Sequence, residues 1–393
     1  MNLVERHIVI NSKELEDLCF KSKNLYNQSL YYLRKSYFGE IERFSENELT
    51  GVFAEFDEEN YRALPAQTSQ QIIKSLFNNW KSYFRATKEF YKNPSKFNGK
   101  PVLPKYKKSQ YGVYFAGQTI RNIDGFLHFP KGVIKPLKSK VEKVKQVRII
   151  PQASCHVIEI VYEKQIKDLE LNKENILSLD LGLSNLATSI NNVGEKPFII
   201  NGNQLKSFNQ WYNKRKAKLS SYLKGNRRTS RRISKLIHHR NCWIDDKLHK
   251  MSRFIVDYCI EHDIGKIIAG KNTGWKTGIN LGTKNNQNFT IMPISRLLEK
   301  IKYKAELVGI EFICTEESYT SKCDALALET VEKHEDYLGK RKKRGLFQSS
   351  TGRLVNADGN GAMNIARKVI GDDFMKSLIN SRCALQPYKV NIL

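Results

Sequence analysis

The sequence predicts an α/β plus β architecture, in which a small antiparallel β-module with inserted helices precedes a layered α/β region. Three observations support this prediction. Short runs of alternating apolar and polar residues fill much of positions 111–163, as in antiparallel strands. Apolar residues at helical spacing fill much of positions 15–90. From position 176 onward, strand-like apolar runs are interspersed with helical patterns.

The chain begins with a strand-like pattern and continues into helices. Positions 4–10 are typical of a strand, and Asn11 is predicted to cap the helix that follows. Helical spacing continues to about Tyr37, positions 39–66 are mixed and acidic, and a second helix is predicted over 68–91. If the first strand pairs with the later β-module, these helices form an insertion within one barrel.

Positions 92–108 have a different composition. Three prolines and one glycine exclude a helix here. Lysines, among them Lys105 and Lys107, are interleaved with Phe97 and Tyr106. This pattern suits an extended segment that lies along a phosphate backbone.

The next feature is an apolar run, 176–181, that contains Asp180 and is followed by Gly182. A carboxylate in such a run is costly to bury unless something compensates its charge. One interpretation is that Asp180 ends a strand and starts a turn. The other is that its oxygens bind a divalent cation such as Mg²⁺ or Mn²⁺. This stretch alone leaves both interpretations open.

After two short predicted strands, over 186–190 and 198–201, positions 206–250 are strongly basic. They hold fourteen Lys or Arg against two Asp, a local net charge of +12. Two helices are predicted here, and four arginines lie at their joint: Arg227, Arg228, Arg231 and Arg232. A solvated helical hairpin is one interpretation. Nucleic acid is the other, because so many charges of one sign are costly without a polyanion.

Two more strand patterns lie downstream, over 265–270 and 310–317, with a predicted helix that opens near 293 between them. The second pattern ends in the acidic pair Glu316 and Glu317. A third acid, Asp358, lies at the predicted start of a glycine-rich helix, where its role could simply be to cap the helix.

Asp180, Glu317 and Asp358 therefore lie on two strand ends and one helix start, which can converge. Carboxylates in such a group can hold two divalent ions ~4 Å apart, the arrangement that supports phosphodiester cleavage. In a basic chain, this predicts a nuclease.

Composition limits the classes of partner. The 393 residues are 40% hydrophobic, which argues for a folded chain, and the net charge is +26. Nucleic acid is the partner we expect, and a membrane surface is the rival. No apolar run approaches ~18 residues and the first residues do not resemble a signal peptide. We therefore expect no membrane partner and a cytoplasmic protein.

Seven cysteines are widely spaced and form no Cys-x-x-Cys pair. This spacing argues against a disulfide framework and against a structural zinc site, so zinc is unlikely as a cofactor.

Several motifs resemble a known family. In chain order they are Gly99-Lys100-Pro101-Val102-Leu103-Pro104-Lys105-Tyr106-Lys107, Leu179-Asp180-Leu181-Gly182, Ala269-Gly270-Lys271-Asn272 with Trp275-Lys276, Glu317-Ser318-Tyr319-Thr320-Ser321-Lys322, Arg344-Gly345, and Asn356-Ala357-Asp358-Gly359-Asn360-Gly361-Ala362-Met363-Asn364-Ile365. Together they resemble the TnpB (OrfB) proteins of bacterial insertion sequences, relatives of the type V CRISPR effectors. The resemblance extends over essentially the whole chain.

The resemblance implies an RNase H-like (RuvC) nuclease domain with insertions, preceded by a wedge-type β-barrel that carries a helical recognition domain. The implied bounds are 1–10 and 93–168 for the barrel, 11–92 for the recognition insertion, 169–320 and 354–371 for the nuclease, 321–353 for a target-nucleic-acid-binding insertion, and 372–393 for a C-terminal tail.

The implied activity is that of an RNA-guided DNA endonuclease of a bacterial transposable element. It would use Mg²⁺, for which Mn²⁺ may substitute, and a guide RNA made from the end of the element. It would cleave double-stranded DNA beside a short motif, in the bacterial cytoplasm at the nucleoid. Asp180, Glu317 and Asp358 would be both catalytic and metal-binding. Alternatives are a nuclease-inactive RNA-guided DNA-binding repressor and a transposase or transposase accessory protein.

The sequence departs from the family pattern at two places. Gly270 stands where many members have their second acid; Glu317 is the expected replacement, with Glu316 still open. Cys323 stands alone where many members have a four-cysteine zinc module, so the insertion is predicted to contain no metal. Its basic run at 340–344, with Lys342 and Arg344, is expected to contact phosphate, as is Lys271.

Overall fold

The computed structural model describes residues 1–10, 12–130, 133–271, 293–343, 345–376, 378–379 and 386–392. The chain divides into two compact units, residues 1–164 and 165–393, and each is described by itself. No helix in these described ranges is both long and apolar enough to cross a membrane.

The first unit contains seven strands and four α-helices among its described residues. In chain order they are β1 (Asn2–Val9), α1 (Lys13–Tyr37), α2 (Glu46–Glu55), α3 (Glu59–Arg62), α4 (Ala66–Lys92), β2 (Val113–Ala116), β3 (Arg121–Ile123), β4 (Phe126–His128), β5 (Leu137–Lys138), β6 (Val144–Gln152) and β7 (Cys155–Glu163).

Strand β1 pairs antiparallel with β7, from Asn2 opposite Glu163 to Val9 opposite His156. The sheet order is β1-β7-β6-β2, and β3, β4 and β5 form a second sheet. All four helices thus lie, along the chain, between strands of one sheet. Closure of these strands into a wedge-type barrel remains a prediction.

One apolar core joins the helices and strands of this unit. Leu25 of α1, Ile72 of α4, and Phe115 and Ile149 of the sheet are all fully buried in it. Burial of these side chains supplies the main driving force for folding of the unit.

Asn11, the predicted cap of α1, lies outside the described residues; the cap is Ser12, whose Oγ accepts the Leu15 N–H at 3.2 Å. Helices α2 and α3 were not predicted. The acidic stretch 39–66 contains a capping box at the start of α2, in which the Ser45 and Glu48 side chains each accept the other's backbone N–H.

The second unit contains nine strands and four α-helices among its described residues. They are β8 (Ile176–Asp180), β9 (Asn185–Asn191), β10 (Phe198–Asn201), α5 (Asn203–Ser220), α6 (Arg231–Glu261), β11 (Lys266–Gly270), α7 (Ile294–Glu306), β12 (Glu311–Thr315), β13 (Lys340–Lys343), β14 (Leu346–Gln348), β15 (Leu354–Asn356), α8 (Ala357–Ile370) and β16 (Tyr388–Val390).

The main sheet has the order β12-β11-β8-β9-β10-β16. Strands β8, β11 and β12 are parallel to one another, while β8–β9 and β9–β10 are antiparallel pairs. Strands β13, β14 and β15 form a separate small sheet just before α8. The mixed α/β organisation predicted for this region is therefore confirmed.

Helices cover both faces of the main sheet. Leu177 and Leu179 of β8 share a core with Ile255 of α6 and Ile301 of α7. On the opposite face, Ile176 packs in a cluster with residues of α8. Alternate residues of β8 therefore face different helices, as expected for a central strand.

The predicted C-terminal tail, 372–393, contains regular structure among its described residues. They contribute a short 3-10 helix, Asp372–Met375, and the edge strand β16, which pairs parallel with β10 through Ile199 and Lys389. The strand predicted over 310–317 ends at Thr315, so Glu316 and Glu317 lie in the connection after it.

Candidate active site

Strand β8 presents Asp180 on the sheet face that packs against α8. Ser178 lies two residues earlier, and therefore on the same face. Its hydroxyl donates a 2.6 Å hydrogen bond to the carbonyl of Ala362 in α8. Because Ser178 is fully buried, this bond fixes β8 against α8 two residues before Asp180.

The close approach of α8 to Asp180 requires Gly361. A Cβ atom at this position would lie 2.6 Å from Asp180 Oδ2, so any other residue would force the carboxylate or the helix to move. The glycine in the helix is therefore explained by packing against the carboxylate rather than by helix propensity, which it lowers.

Asp358 lies in the first turn of α8, but it is not the cap. The Asn356 side chain accepts the backbone N–H groups of Asp358 and Gly359 at 3.0 and 3.1 Å. Asp358 Oδ2 instead accepts a 2.7 Å hydrogen bond from the Asn185 amide of β9. The interpretation of Asp358 as a helix cap is therefore wrong.

Glu317 enters the site from the connection after β12. A Cβ atom at Gly270, at the end of the neighbouring strand β11, would overlap the Glu317 carboxylate and lie 2.7 Å from Ile365 of α8. The carboxylate thus occupies the space in front of β11, directed towards α8.

Electrostatics link the three acids. Burial raises the pKa of Asp180 well above its usual value, and the Asp358 and Glu317 carboxylates raise it further. The Arg341 guanidinium, 3.9 Å from Asp358 Oδ1, partly opposes this rise. Burial, with repulsion from Glu316, raises the pKa of Glu317 to about 7. Burial and the neighbouring carboxylates thus disfavour the charged form of Asp180, and a bound cation would favour it.

Glu316 has a different environment. Its side chain is exposed, accepts a hydrogen bond from Ser318 and forms an ion pair with Lys368 at 3.4 Å. The Ser318 hydrogen bond and the Lys368 charge lower its pKa. This carboxylate already has partners outside the acidic group, whereas that of Glu317 lies near Asp180.

The residues fit a divalent cation in chemistry. All three donors are hard oxygens, and their mutual repulsion would be relieved by positive charge. Among the described residues, no group of three His, Cys, Asp or Glu side chains is already arranged to hold a metal ion. Asp180, Glu317 and Asp358 would have to draw together around the ion.

The insertion at 321–353 is held by buried carboxylates. Fully buried Asp324 accepts bonds from the backbone of Leu326 and from Ser349 and Ser350, and Glu329 accepts the Asp324 N–H at 2.6 Å. These bonds connect segments distant in sequence. They hold the insertion together through hydrogen bonds between its own segments.

Helix α8 anchors this insertion. Asn360 and Asn364 are fully buried and both donate to the Cys323 carbonyl at 2.8 Å, and Asn364 also donates to the Thr320 carbonyl. The connection that follows Glu317 is thereby fixed to the same helix that carries Asp358.

The predicted nucleic-acid-binding residues have varied surroundings. Lys105 is exposed, whereas Lys107 is partly buried, with its ammonium over the rings of Tyr26 and Tyr111. Exposed Lys271 directly follows β11. The remainder are exposed: Arg227, Arg228, Arg231, Arg232 and Lys342. Arg344 lies outside the described residues.

Sequence reasoning missed Ser178, Asn185 and Arg341. The partners of Ser178 and Asn185 are 184 and 173 positions away in the chain, so no local pattern indicates their contacts. Arg341 belongs to a basic run whose composition indicated phosphate contact, and only the fold places it beside Asp358.

Two regions of the chain match known families. Residues 154–276 match the OrfB_IS605 family, described as a probable transposase, and residues 295–365 match the Cas12f1-like TNB domain. These matches confirm the resemblance to TnpB (OrfB) proteins and their relatives that the sequence predicts.

Curated relatives are similar over part of their length. A CRISPR-associated endodeoxyribonuclease Cas12f1 from Sulfoacidibacillus thermotolerans is 27% identical over 52% of this chain and 48% of its own length. A CRISPR-associated endodeoxyribonuclease Cas12f2 from Micrarchaeota archaeon (strain CG1_02_47_40) is 29% identical over 55% of this chain and 41% of its own. The aligned regions thus span about half of each relative or less.

The fold resembles that of a chain in a solved complex. A Cas12f1-sgRNA-target DNA complex covers 90% of this chain and 81% of the solved chain, with a TM-score of 0.58 and 16% identity. At this identity the likeness shows the fold alone.

Proposed function

We propose that this chain, which is related to OrfB transposases and Cas12f endodeoxyribonucleases over its matched regions, is an RNA-guided DNA endonuclease of a bacterial transposable element. It would cleave DNA complementary to a guide RNA, next to a short motif, by metal-dependent phosphodiester hydrolysis. Base pairing would select the target, while the protein holds the backbone and the shape of the heteroduplex.

One observation carries the proposal. Three carboxylates from three separate elements, Asp180, Glu317 and Asp358, are close enough for the latter two to raise the pKa of the first. Neighbouring carboxylates repel phosphate when they are ionised, so a chain that needed only to bind nucleic acid would gain nothing from this group. A nuclease needs it to hold cations.

We assign Asp180, Glu317 and Asp358 as ligands of Mg²⁺, for which Mn²⁺ could substitute. The cations would supply Lewis acidity at the phosphodiester and would offset charge on the leaving oxygen. The protein contributes the positions of the ligands: Ser178 fixes β8 to α8, and Asn185 orients Asp358. Arg341 would add positive charge beside the phosphate that approaches Asp358.

The domain assignment is also part of the proposal. Residues 169–320 and 354–371 would form the RuvC-like nuclease, and 321–353 the insertion that binds target nucleic acid. Residues 1–10 and 93–168 would form the wedge, with the recognition helices in 11–92 inserted between them.

The basic helices α5 and α6 support nucleic acid as the partner. The first turn of α6 contains Arg231 and Arg232 and no acidic residue. Cations at this end oppose the helix dipole, a cost that bound phosphate would offset. Guide RNA and target double-stranded DNA are the partners that we propose.

The test is to express the chain with the flanking DNA of its element, sequence the RNA that co-purifies, and present plasmids with matched or scrambled targets. We expect one discrete RNA, and cleavage of the matched plasmid only, in Mg²⁺ and not in EDTA. A discrete RNA with guided binding but no cleavage in Mg²⁺ or Mn²⁺ would favour the repressor. Strand joining without guided cleavage would favour the transposase role.

A further inference from the structure

Helices α5 and α6 of the second unit hold a stack of aromatic rings in the most basic part of the chain. Phe208 of α5 stacks on Trp243 of α6, with ring centroids 4.0 Å apart and planes 22° from parallel. Phe208 also stacks on Trp211, at 5.3 Å and 27°. His239 of α6 packs beside the stack, 6.3 Å from Trp211 and 5.9 Å from Phe208.

This aromatic stack of Phe208, Trp211 and Trp243 is not sealed in a core. Trp211 is 46% exposed, and Phe208 and Trp243 are only partly buried. Near-parallel rings with an exposed member form a surface on which a further flat ring can stack.

Neighbouring contacts make the stack rigid. The guanidinium of Arg240 donates to buried Asn209 at 2.9 Å and lies 5.0 Å from the centroid of buried Tyr212, joining α6 to α5. A platform held in place in this way loses little conformational entropy when a ligand stacks on it.

Charge around the stack indicates the ligand. Lys214, Arg215 and Lys218 follow Trp211 at spacings of three, four and seven residues, so they lie on its side of α5. Lys247 lies over the Trp243 ring, 5.4 Å from its centroid. Aromatic rings bordered by lysine and arginine are the arrangement that binds single-stranded nucleic acid, where bases stack and phosphates pair with cations.

We propose that the aromatic stack is a binding site for an unpaired base of a single-stranded nucleic acid, with Trp211 as the residue that the base contacts. The inference deepens the proposed function, on which it rests, by locating where an unpaired segment is held. A base within a duplex cannot bind to this site, because the adjacent stacked bases cover both of its faces. RNA and DNA both offer such bases, and the experiment distinguishes them.

The test uses the full chain with Trp211→Ala, Trp211→Phe and Trp211→Leu, checked for equal folding by circular dichroism. Binding is measured by anisotropy with unstructured RNA and DNA strands of about 16 nucleotides and with a duplex of equal length. We expect Trp211→Ala to weaken binding of at least one strand type about 5- to 100-fold and duplex binding less than twofold. The strand affected more identifies the source of the base.

The other variants separate stacking from plain apolar contact. Trp211→Phe should retain most of the affinity, whereas Trp211→Leu should behave like Trp211→Ala. The salt slope should be unchanged in Trp211→Ala, but Lys214→Gln with Arg215→Gln should reduce it by about 1.4 units for single strands. Tryptophan fluorescence should be quenched by the strand in wild type and less in Trp211→Phe.

Equal single-strand binding by wild type and Trp211→Ala would overturn the inference. So would full retention in Trp211→Leu, or a change in oligomeric state of Trp211→Ala without a change in nucleic-acid binding, which would indicate a second copy as the occupant. The nuclease proposal fails by a different result, the absence of guided cleavage by the wild type, so the two failures can be distinguished.

Discussion

The carboxylate of Glu317 occupies the space in which residue 270 would place its Cβ atom, and residue 270 is a glycine. Gly270 ends β11 beside Thr315, the last residue of β12, and Glu317 follows two positions later. The absence of a side chain at Gly270 on β11 therefore makes room for the carboxylate of Glu317, which follows the neighbouring strand β12. Many members of the family that this chain resembles have their second acid at the position of Gly270, and this contact supports Glu317 as its replacement.

The first prediction compares the two adjacent glutamates. Glu317→Gln should abolish cleavage, because an amide neither neutralises nor bridges divalent cations well. Glu316→Gln should retain most of the activity, because Glu316 is exposed and paired with Lys368. The measurement is the cleavage rate over a Mg²⁺ and Mn²⁺ titration. A dead Glu316 variant beside an active Glu317 variant would reverse the assignment.

The second prediction concerns Gly270 itself. Gly270→Ala should slow cleavage on the order of 100-fold, because its Cβ displaces the Glu317 carboxylate. The double change Gly270→Asp with Glu317→Gly should recover part of the activity by moving the acid to β11. Gly51→Ala, where a Cβ meets no atom within 4 Å, is the matched control. Wild-type cleavage by Gly270→Ala would show that the site tolerates displacement of Glu317.

The third prediction addresses the joint between α5 and α6. Changing four exposed arginines to glutamate should weaken nucleic-acid binding and lower the salt slope by about one unit for each lost phosphate contact; they are Arg227, Arg228, Arg231 and Arg232. A control with equal charge change uses exposed lysines elsewhere: Lys164, Lys167, Lys173 and Lys196. If both variants have the same slope, only net charge matters and the arginines are solvated.

The fourth prediction concerns His156 in the first unit, which is 4% exposed. Among the described residues neither ring nitrogen has a hydrogen-bond partner. Burial lowers the pKa of His156, with Glu16 partly opposing. Since the folded pKa lies below the unfolded value of about 6.5, the unfolded chain binds more protons as the pH falls. Stability is therefore present above about pH 6.5 and is lost on acidification.

His156→Phe should remove this pH dependence. Between pH 7 and pH 5, wild type should lose on the order of 1 kcal/mol more of its free energy of unfolding than the variant. The measurement is urea denaturation of the full chain at a series of pH values. The control is His128→Phe, at a partly exposed position of the same unit. Parallel pH curves for wild type and His156→Phe would show that the buried ring is not the cause.

Much of the candidate site could be predicted because its signals are local. The apolar run that contains Asp180 and the glycine-rich start of α8 are visible in the sequence, and both elements form. The choice between Glu316 and Glu317 depended on contacts that β-strand alternation cannot give, since β12 ends before either residue. Asn356 displaced Asp358 as the cap, which only side-chain geometry could reveal.

The parts of the fold that were missed depend on distant partners. Strand β16 has three residues and gains its partner from β10, about 190 positions earlier, so its own sequence carries little signal. Composition predicts that Lys107 contacts phosphate, which stays a prediction; composition did not indicate that its ammonium lies over Tyr26 and Tyr111 or that its backbone bonds to Asn27. Tertiary context decides such cases.

The most direct test of the account replaces Asp180, whose pKa both other carboxylates raise, by alanine. Guide-loaded wild type and Asp180→Ala would be compared on one matched target, for binding in EDTA and for cleavage in Mg²⁺, with Asp246→Ala on exposed α6 surface as control. We expect Asp180→Ala to bind as wild type does and to leave the target uncut, while the control does both normally. Cleavage by Asp180→Ala at more than a trace of the wild-type rate would contradict the assignment of the active site.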